Sequence, residues 1–142
     1  MPTSIAYTAE ALSTGAGRDG RVRSDDGRVD LDMAIPQPMG GSGDGSNPEQ
    51  LFAAGYAACF HSALQAVARS QKVSVQDTSV GARVHIGPDD QGGFELAVEL
   101  EVVVPHLPTD QAQALADAAE KVCPYSNATR GNIDVRVTVV DG

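Results

Sequence analysis

Aromatic side chains and cations are both scarce in this sequence. It has no Trp, three Tyr and three Phe among its 142 residues, too few for the aromatic platforms on which single-stranded nucleic acids stack. Its 10 Lys and Arg residues are outnumbered by 19 Asp and Glu, which gives a formal net charge of −9. Such an acidic chain repels a phosphate backbone or an anionic membrane. We therefore expect no nucleic-acid partner and no membrane partner.

Long apolar runs are also missing. The longest run that is both uncharged and apolar, residues 51–60, is far shorter than the ~20 residues that cross a bilayer. The N-terminal sequence MPTSIAYTAE lacks the basic and apolar regions of a secretory signal. These absences predict a cytoplasmic protein. The length predicts a single domain over residues 1–142 with a substantial core.

Cysteine is rare, with only Cys59 and Cys123 in the chain. Structural zinc sites usually take ligands in pairs a few residues apart. Cys59 and His61 lie two positions apart on a predicted helix, hence about 200° around it, so they cannot both reach one ion. We therefore expect no metal. In a cytoplasmic protein, any disulfide between the two cysteines is expected to be transient and catalytic.

The most informative stretch that is present is a long predicted helix over residues 47–72. Asn47 is a typical N-cap residue for it. Residues 51–60 are apolar on every face of this helix, which is typical of a buried helix. Cys59 lies in this apolar half, four residues after Gly55, and the glycine leaves room on the face that the sulfur shares.

Alternating apolar and polar residues predict strands along much of the remaining chain. The predicted order is three strands, the long helix, two strands, a second helix and a last strand. This order predicts an α+β fold in which antiparallel sheets pack around the central helix. The strands are predicted at residues 4–8, on either side of the Asp26-Gly27 turn, and at residues 73–86, 94–104 and 133–139.

The second helix is predicted from residue 109 or 110 to about residue 122. Pro124 cannot continue a helix, so Cys123 is expected at the helix end or just past it. Residues 127–132 are interpreted as a turn into the last strand. The core face of this helix is predicted to carry Ala112, Leu115, Ala119 and Val122.

The function depends on the role of Cys59. A buried free cysteine is a common core residue, and Cys123 could be idle at a helix end. A reactive Cys59 would need help, because burial raises a thiol pKa and the helix dipole is weak so far inside the helix. A nearby arginine would supply a permanent positive charge. Four arginines from other segments compete for this role: Arg18, Arg21, Arg23 and Arg28.

Two motifs support the reactive interpretation by resemblance. The sequences NPEQLFAAGYAACF around Cys59 and VCPYSNATRGNIDV around Cys123 resemble the two cysteine motifs of the organic hydroperoxide resistance (Ohr) proteins. These proteins form a branch of the superfamily named after the osmotically inducible protein OsmC. The resemblance extends over nearly the whole chain, including the Gly17-Arg18-Asp19-Gly20 turn.

This resemblance implies an intertwined α+β homodimer that reduces organic and fatty-acid hydroperoxides to alcohols in oxidative-stress defence. It makes Cys59 the peroxidatic cysteine and Cys123 the resolving cysteine that forms a disulfide with it. It also makes Arg18 the residue that activates the thiolate, with Glu49 as its carboxylate partner. No bound cofactor is implied, since the reducing equivalents come from dihydrolipoyl groups on lipoylated proteins.

The same resemblance bears on the substrate pocket and on the dimer. The apolar neighbours of Cys59 suit an alkyl chain, although core packing would use the same three residues: Leu51, Phe52 and Phe60. Glu49 lies ten positions before Cys59 on one helix, roughly 15 Å along the axis, so it cannot reach the sulfur of its own chain. A two-fold dimer with antiparallel central helices would build each active site from both chains.

Two other functions remain open on the sequence alone. A peroxide-sensing regulator would use the same thiols, but it usually carries a basic DNA-binding element that a chain of charge −9 does not offer. A module that binds lipids or other small apolar ligands would need the pocket and not the thiols. Peroxide turnover with a dithiol separates such a module from a peroxidase.

Overall fold

The computed structural model describes residues 1–141, and its internal contacts divide the chain into two compact units. The first unit is Met1–Leu51, and the second begins at Phe52. Helices and strands occur in separate stretches, as expected of the predicted α+β class, which is confirmed. The single domain expected over residues 1–142 stays a prediction.

The first unit contains a three-stranded antiparallel sheet. Its strands are β1 (Ala11–Thr14), β2 (Arg21–Ser24) and β3 (Asp30–Asp32), in the order β1-β2-β3. Strands β2 and β3 flank the Asp26-Gly27 turn, as predicted. The strand predicted at residues 4–8 is wrong, because the pairing with β2 begins at Ala11 and residues 4–8 belong to no strand.

The first unit buries few side chains. Its buried residues are Met33, Ala34 and Asn47, while all four residues of β1 are exposed. Ion pairs join its strands instead, such as the contact of 2.7 Å between Arg21 and Asp30. So little buried apolar area gives this unit little hydrophobic stabilisation of its own.

Helix α1 (Pro48–Ser70) begins where the sequence predicts it. The side-chain oxygen of Asn47 accepts the backbone N–H of Gln50 at 2.9 Å, which satisfies one of the free donors at the helix start. The burial predicted on every face of residues 51–60 is wrong for the single chain, since Ala54 and Ala58 are exposed. One face is buried, at the helical spacing of Tyr56, Phe60, Ala63, Leu64, Val67 and Ala68.

Helix α1 is long and apolar enough, by length and composition alone, to cross a membrane. Its stretch without Asp, Glu, Lys or Arg runs over residues 51–68, so the sequence-based limit at residue 60 is too short. Core helices of soluble proteins pass the same test, and α1 contributes six buried side chains. The test therefore gives only weak support for a membrane-spanning helix.

The second unit contains the other three-stranded sheet. Its strands are β4 (Ser79–Pro88), β5 (Phe94–Val103) and β6 (Val135–Val139), in the order β4-β5-β6. Strands β4 and β5 form the predicted antiparallel hairpin. The prediction of antiparallel pairing is wrong for β6, which runs parallel to β5. A helical connection between the two strands allows this parallel return, which a short turn does not.

Two helices connect β5 to β6. Helix α2 (Thr109–Val122) and helix α3 (Pro124–Thr129) meet at Cys123, which is the C-cap of the first and the N-cap of the second. Part of the turn predicted at residues 127–132 is therefore helical. Val122 is 54% exposed rather than buried, because Cys123 takes the next core position, four residues after Ala119.

The hydrophobic core lies in the second unit. It is formed by one face each of α1 and α2 and by the inward side of β5, with β4 and β6 packed at its margins. The largest fully buried side chains are Tyr56, Phe60, Leu64, Leu100, Leu115, Val98, Val102 and Cys123. Cys123 is thus a core residue. Its distance from Cys59 decides whether the two thiols can react with each other.

Candidate active site

The two cysteines meet in the second unit. Both are free, and the Sγ atom of Cys123 lies 3.5 Å from that of Cys59 and donates its S–H to it. Cys123 is fully buried and Cys59 is half-buried. A disulfide bond measures about 2.05 Å, so a local shift of the two side chains suffices to join them.

Hydrogen bonds between α1 and α3 hold the segment that follows Cys123. The hydroxyl of Tyr56, which is fully buried, lies 2.8 Å from Ser126 Oγ and 3.1 Å from Thr129 Oγ1. Buried hydroxyl groups that satisfy one another specify a single arrangement of the helices that carry them. The start of α3, and with it Cys123, is thereby fixed against the helix that carries Cys59.

Gly55 makes room beside Cys59, although the space is filled by a tyrosine ring. A Cβ atom on Gly55 would lie 2.7 Å from the hydroxyl oxygen of Tyr125 and 3.2 Å from its nearest ring carbon. The same ring packs against Tyr56 and Phe52, at centroid distances of 5.5 and 6.1 Å. Gly55 therefore positions Tyr125, which follows Cys123 by two residues.

The surroundings of Cys59 within the chain disfavour its reactive form. Burial raises the pKa of the Cys59 thiol, and the backbone N–H of Tyr125 lowers the pKa by less than burial raises it. The adjacent Cys123 raises the pKa further. Since the thiolate is the nucleophile, Cys59 needs an additional positive group to react readily at neutral pH.

The first unit contains a positive group that is held by a carboxylate. Arg18 Nη1 donates to Glu49 Oε2 at 2.9 Å, and Nη2 donates to Oε1 at 2.8 Å. This two-bond pairing lowers the pKa of Glu49 and raises that of Arg18, so both are charged at neutral pH. Among the competing arginines, Arg21 is engaged by Asp30 and Asp32.

The turn that carries Arg18 is defined by its neighbours. It is a short 3-10 turn, Gly17–Asp19, and the Asp19 carboxylate accepts the backbone N–H of Ile35 at 3.0 Å. A Cβ atom on Gly20 would lie 2.0 Å from the carbonyl oxygen of Thr14. A glycine is therefore required immediately after the turn, and the backbone around Arg18 is constrained on both sides.

A cavity of about 780 Å³ lies in the second unit, beside the residues that follow Cys123. Its lining includes Tyr125, whose backbone N–H acts on Cys59, and Pro124, which follows Cys123. The remaining lining residues come from the first turns of α1, the β4–β5 hairpin, α3 and the approach to β6. They are Phe52, Asp89, Phe94, Glu95, Leu96, Ala128, Thr129, Asn132 and Ile133.

The predicted pocket residues separate in the structure. Phe52 lines the cavity, whereas Phe60 is fully buried in the core and is a packing residue. Leu51 is half-buried at the end of the first unit. Phe94, the first residue of β5, is 67% exposed and lines the cavity. The one sequence signal for its place at the cavity is that Phe94 directly follows the turn between β4 and β5.

Metal ligation receives no support from the described part of the chain. Within residues 1–141, no group of three or more His, Cys, Asp or Glu side chains lies close enough together to hold an ion. Two of the three histidines have other partners: His61 and His85 make hydrogen bonds to Thr78 and Glu99 at 2.7 Å each.

Comparison with known proteins identifies the class first. Residues 41–138 match the family described as OsmC-like protein. The fold agrees with this match, because the chain superimposes on an organic hydroperoxide resistance protein from Legionella pneumophila with a TM-score of 0.92. That pair is 47% identical, over 96% of this chain and 98% of the other. The long cysteine-bearing helix and the paired sheets are thus those of an OsmC-like protein.

Relatives of higher sequence identity show which family within this superfamily the chain belongs to. The chain is 50% identical over 140 residues to the organic hydroperoxide resistance protein of Xanthomonas axonopodis pv. citri (strain 306), covering 97% of each. It is 49% identical to such a protein from Vibrio cholerae, with captopril bound in one of its active sites, at a TM-score of 0.92 and coverages of 98% and 95%. The chain belongs to the organic hydroperoxide resistance family of the OsmC/Ohr superfamily, which confirms the resemblance.

Proposed function

We propose that the protein is a thiol-dependent peroxidase that reduces organic hydroperoxides to alcohols in the cytoplasm. The observation that carries this proposal is the distance of 3.5 Å between the Cys59 and Cys123 sulfurs, beside a largely apolar cavity. Relatives named for organic hydroperoxide resistance support a role in oxidative-stress defence.

The first chemical step takes place at Cys59. Its thiolate attacks the outer oxygen of the hydroperoxide, so that an S–O bond forms as the O–O bond breaks. The departing alkoxide takes up a proton and leaves as the alcohol. Cys59 loses two electrons and becomes a sulfenic acid. Its partial exposure gives a substrate access to the sulfur.

The second step uses Cys123. Its sulfur attacks the sulfenic sulfur of Cys59, a disulfide forms, and the sulfenic oxygen leaves as water. The short distance between the sulfurs favours this step over further oxidation of Cys59, which would be irreversible. Full burial of Cys123 keeps its own thiol away from the peroxide.

The third step requires a reductant from outside the protein. A dithiol attacks the Cys59–Cys123 disulfide, passes through a mixed disulfide and leaves in its oxidised form, restoring both thiols. We infer that this dithiol is the dihydrolipoyl group of a lipoylated protein, as the family resemblance implies. No bound cofactor is needed for the cycle.

The positive charge that Cys59 needs is proposed to come from a second subunit. The Arg18–Glu49 pair is fully charged and constrained, and Glu49 precedes Cys59 by ten helical positions, roughly 15 Å along α1. In a homodimer with antiparallel α1 helices, each pair would approach the partner's Cys59. The exposed Ala54 and Ala58 are small enough for two helices to pack closely there.

The cavity is proposed to take the organic part of the substrate. Its lining is mostly apolar, with Phe52, Phe94 and Ile133 among its members. An alkyl chain or a fatty-acid chain would leave water on entering it, which favours binding. Hydrogen peroxide has no such group, so it should react more slowly.

A quenched thiol titration tests this function. The reduced protein is mixed with tert-butyl or fatty-acid hydroperoxide and quenched, and its free thiols are counted, with hydrogen peroxide as the control. We expect both thiols to disappear together, and faster with the organic peroxides. Thiols that survive while the protein still binds a fatty acid would instead support the lipid-binding module. Equal rates with all peroxides would contradict the role of the cavity.

A further inference from the structure

The buried polar groups of the second unit are concentrated at one place. Within residues 52–141, the buried polar residues are Ser126 and Thr129, both on α3, and the hydroxyl of the buried Tyr56 bonds to both of them. The rest of the core cluster, apart from Cys123, is apolar. Apolar side chains of similar shape would fill the same space without the cost of burying a polar group, so packing alone does not account for these hydroxyls.

The three hydroxyl groups satisfy one another. Thr129 donates to the carbonyl oxygen of Ser126 at 3.3 Å, which leaves the Thr129 hydroxyl oxygen free to accept the proton of Tyr56. The Tyr56 oxygen in turn accepts the proton of the Ser126 hydroxyl, at 2.8 Å. Every proton then has an acceptor, and no buried polar side-chain atom of residues 1–141 lacks a partner. A complete network of this kind favours one position of α3 relative to α1.

Helix α3 depends on contacts of this kind for its position. It has six residues, too few for a helix that is stable by itself. Only Cys123, whose backbone is extended, separates it from α2. The side-chain bond from Arg130 to the carbonyl oxygen of Glu120 is exposed and leads to α2, so it does not tie α3 to the helix that carries Cys59. The bonds of Tyr56 provide that tie.

Two contacts at the Cys59 sulfur also join the start of α3 to α1, but they change during the proposed reaction. The Cys123 S–H donates to Cys59 Sγ at 3.5 Å, and the backbone N–H of Tyr125 donates to the same sulfur. Both contacts need Sγ as the acceptor, and this atom becomes bonded to oxygen once the hydroperoxide has reacted. The bonds of Tyr56 do not include the sulfur, so they persist in the sulfenic state.

Resting on the proposed peroxidase function, we propose that Tyr56 and Ser126 are positioning residues for the resolving step. By holding Cys123 against Cys59, they set how fast the Cys123 thiol and the sulfenic acid condense to a disulfide and water. The competing reaction joins the same sulfenic acid with a second hydroperoxide and gives a sulfinic acid and an alcohol. The hydroxyl network therefore sets how much organic hydroperoxide the protein withstands before it is over-oxidised.

A single-turnover experiment separates the two steps. Tyr56→Phe keeps the ring and its packing against Phe52 and Tyr125 and removes only the oxygen. With one equivalent of tert-butyl hydroperoxide, we expect peroxide loss within about twofold of the wild-type rate and disulfide formation slowed about tenfold, because small displacements of reacting groups are costly. Mass spectrometry at rising peroxide concentration should show sulfinic Cys59 at about tenfold lower peroxide than in the wild type. An unchanged disulfide rate would overturn the proposal.

The double variant Tyr56→Phe/Ser126→Ala distinguishes positioning from stability. Tyr56→Phe alone leaves the Ser126 hydroxyl without its acceptor, and this cost is largely removed when both groups are absent. The double variant should therefore unfold in urea closer to the wild type than Tyr56→Phe does, and yet form its disulfide as slowly. A disulfide rate that recovers together with the stability would overturn the proposal, because Tyr56→Phe would then act through stability alone.

Val102→Ala is the matched control. Val102 is fully buried in the same core, on β5, and its truncation destabilises the protein without removing a hydroxyl. Its disulfide should form at the wild-type rate, and a slowing equal to that in Tyr56→Phe would overturn the proposal. A wild-type protein that consumes no tert-butyl hydroperoxide would contradict the peroxidase function itself. Peroxide consumption with equal disulfide rates in the wild type and Tyr56→Phe would contradict this inference alone.

Discussion

The two units of the chain differ in what stabilises them. The second unit has a continuous hydrophobic core with helix and strand side chains that are fully buried. The first unit buries only Met33, Ala34 and Asn47, and its sheet leaves β1 exposed. The second unit therefore has a hydrophobic core of its own, whereas the few buried side chains of the first unit give it little hydrophobic stabilisation.

The same division separates the chemical roles. The second unit contains both thiols and the cavity, and its own residues leave the Cys59 thiol with a raised pKa. The first unit contains Arg18, which is paired with the Glu49 carboxylate. Under the proposed mechanism, the second unit provides the redox chemistry and the first unit of a partner chain activates it. Each of the following predictions tests that division, from the largest expected effect to the smallest.

Replacing the cysteines separates two roles inside the second unit. Cys59→Ser should abolish peroxide reduction, because no other thiol has access to the substrate. Cys123→Ser should still react once and then stop as an over-oxidised or mixed-disulfide form. Mass spectrometry after one equivalent of organic hydroperoxide identifies these products. Equal reactivity of the two variants in a single turnover would rule out the assigned roles.

Mixing subunits tests whether the first unit acts on a partner. Glu49→Ala and Cys59→Ser chains, each inactive as homodimers, are unfolded together and refolded. Each heterodimer then carries one site with both residues intact and one with neither, so a purified heterodimer should have about half of the wild-type activity and the refolded mixture about a quarter. Absence of recovery in verified heterodimers, or a monomer that is active at high dilution, would contradict a shared site.

Removing the cation tests how the first unit would activate the thiol. Arg18→Ala should raise the pKa of Cys59, which lowers the thiolate fraction at neutral pH about tenfold for each pKa unit. Arg18→Lys should rescue only part of the rate, since a lysine cannot form the two-bond pair with Glu49. The rate of alkylation against pH reports the thiol pKa. An unchanged profile in Arg18→Ala would transfer this role to another arginine.

A stability measurement probes the second unit alone. Tyr56→Phe removes the hydroxyl that bonds Ser126 and Thr129, leaving buried groups short of a partner at a cost of about 1–3 kcal/mol. Urea unfolding measures this loss. Tyr125→Phe is the control, because Tyr125 is 38% exposed and its hydroxyl can be hydrated. Equal stabilities of the two variants would mean that the Tyr56 bonds do not hold α3.

The smallest expected effect is a pH dependence of the first unit. Because the folded-state pKa of Glu49 is lowered by Arg18, the stabilisation from this pair is present above the ordinary glutamate pKa of about 4.3. It is lost as the pH falls through the lowered value. Thermal unfolding over this acidic range should therefore show a steeper decline for the wild type than for Glu49→Gln. Parallel curves would show that the pair adds no stability.

Local signals allowed much of the chain to be predicted from its sequence. The Asn47 cap, the Asp26-Gly27 turn and the break at Pro124 each depend on neighbouring residues, and the structure has α1, the β2–β3 pair and the end of α2 where these signals predict them. The cysteine motifs likewise identified the family. Interactions within a few residues are encoded by residue type and spacing, so they are readable in one sequence.

Distant contacts could not be predicted in this way. Nothing in the sequence specifies the distance between Cys59 and Cys123, which are 64 positions apart, or the parallel pairing of β6. The cavity is lined from several elements, so most of its members, including Asp89 and Glu95, had no local signal. Phe60 was assigned to the pocket because core and pocket residues have the same apolar chemistry.

The parallel pairing of β5 with β6 also has a consequence for how the chain folds. Val98 pairs with Val135, a separation of 37 residues (135 − 98 = 37), so a long loop must close before these strands meet. Until then β5 has an unpaired edge beside apolar side chains, which is a template for aggregation. Cys123 lies inside that loop, so the resolving cysteine belongs to the segment whose ends this closure joins. Any chain in which β6 has not yet paired would expose the edge of β5.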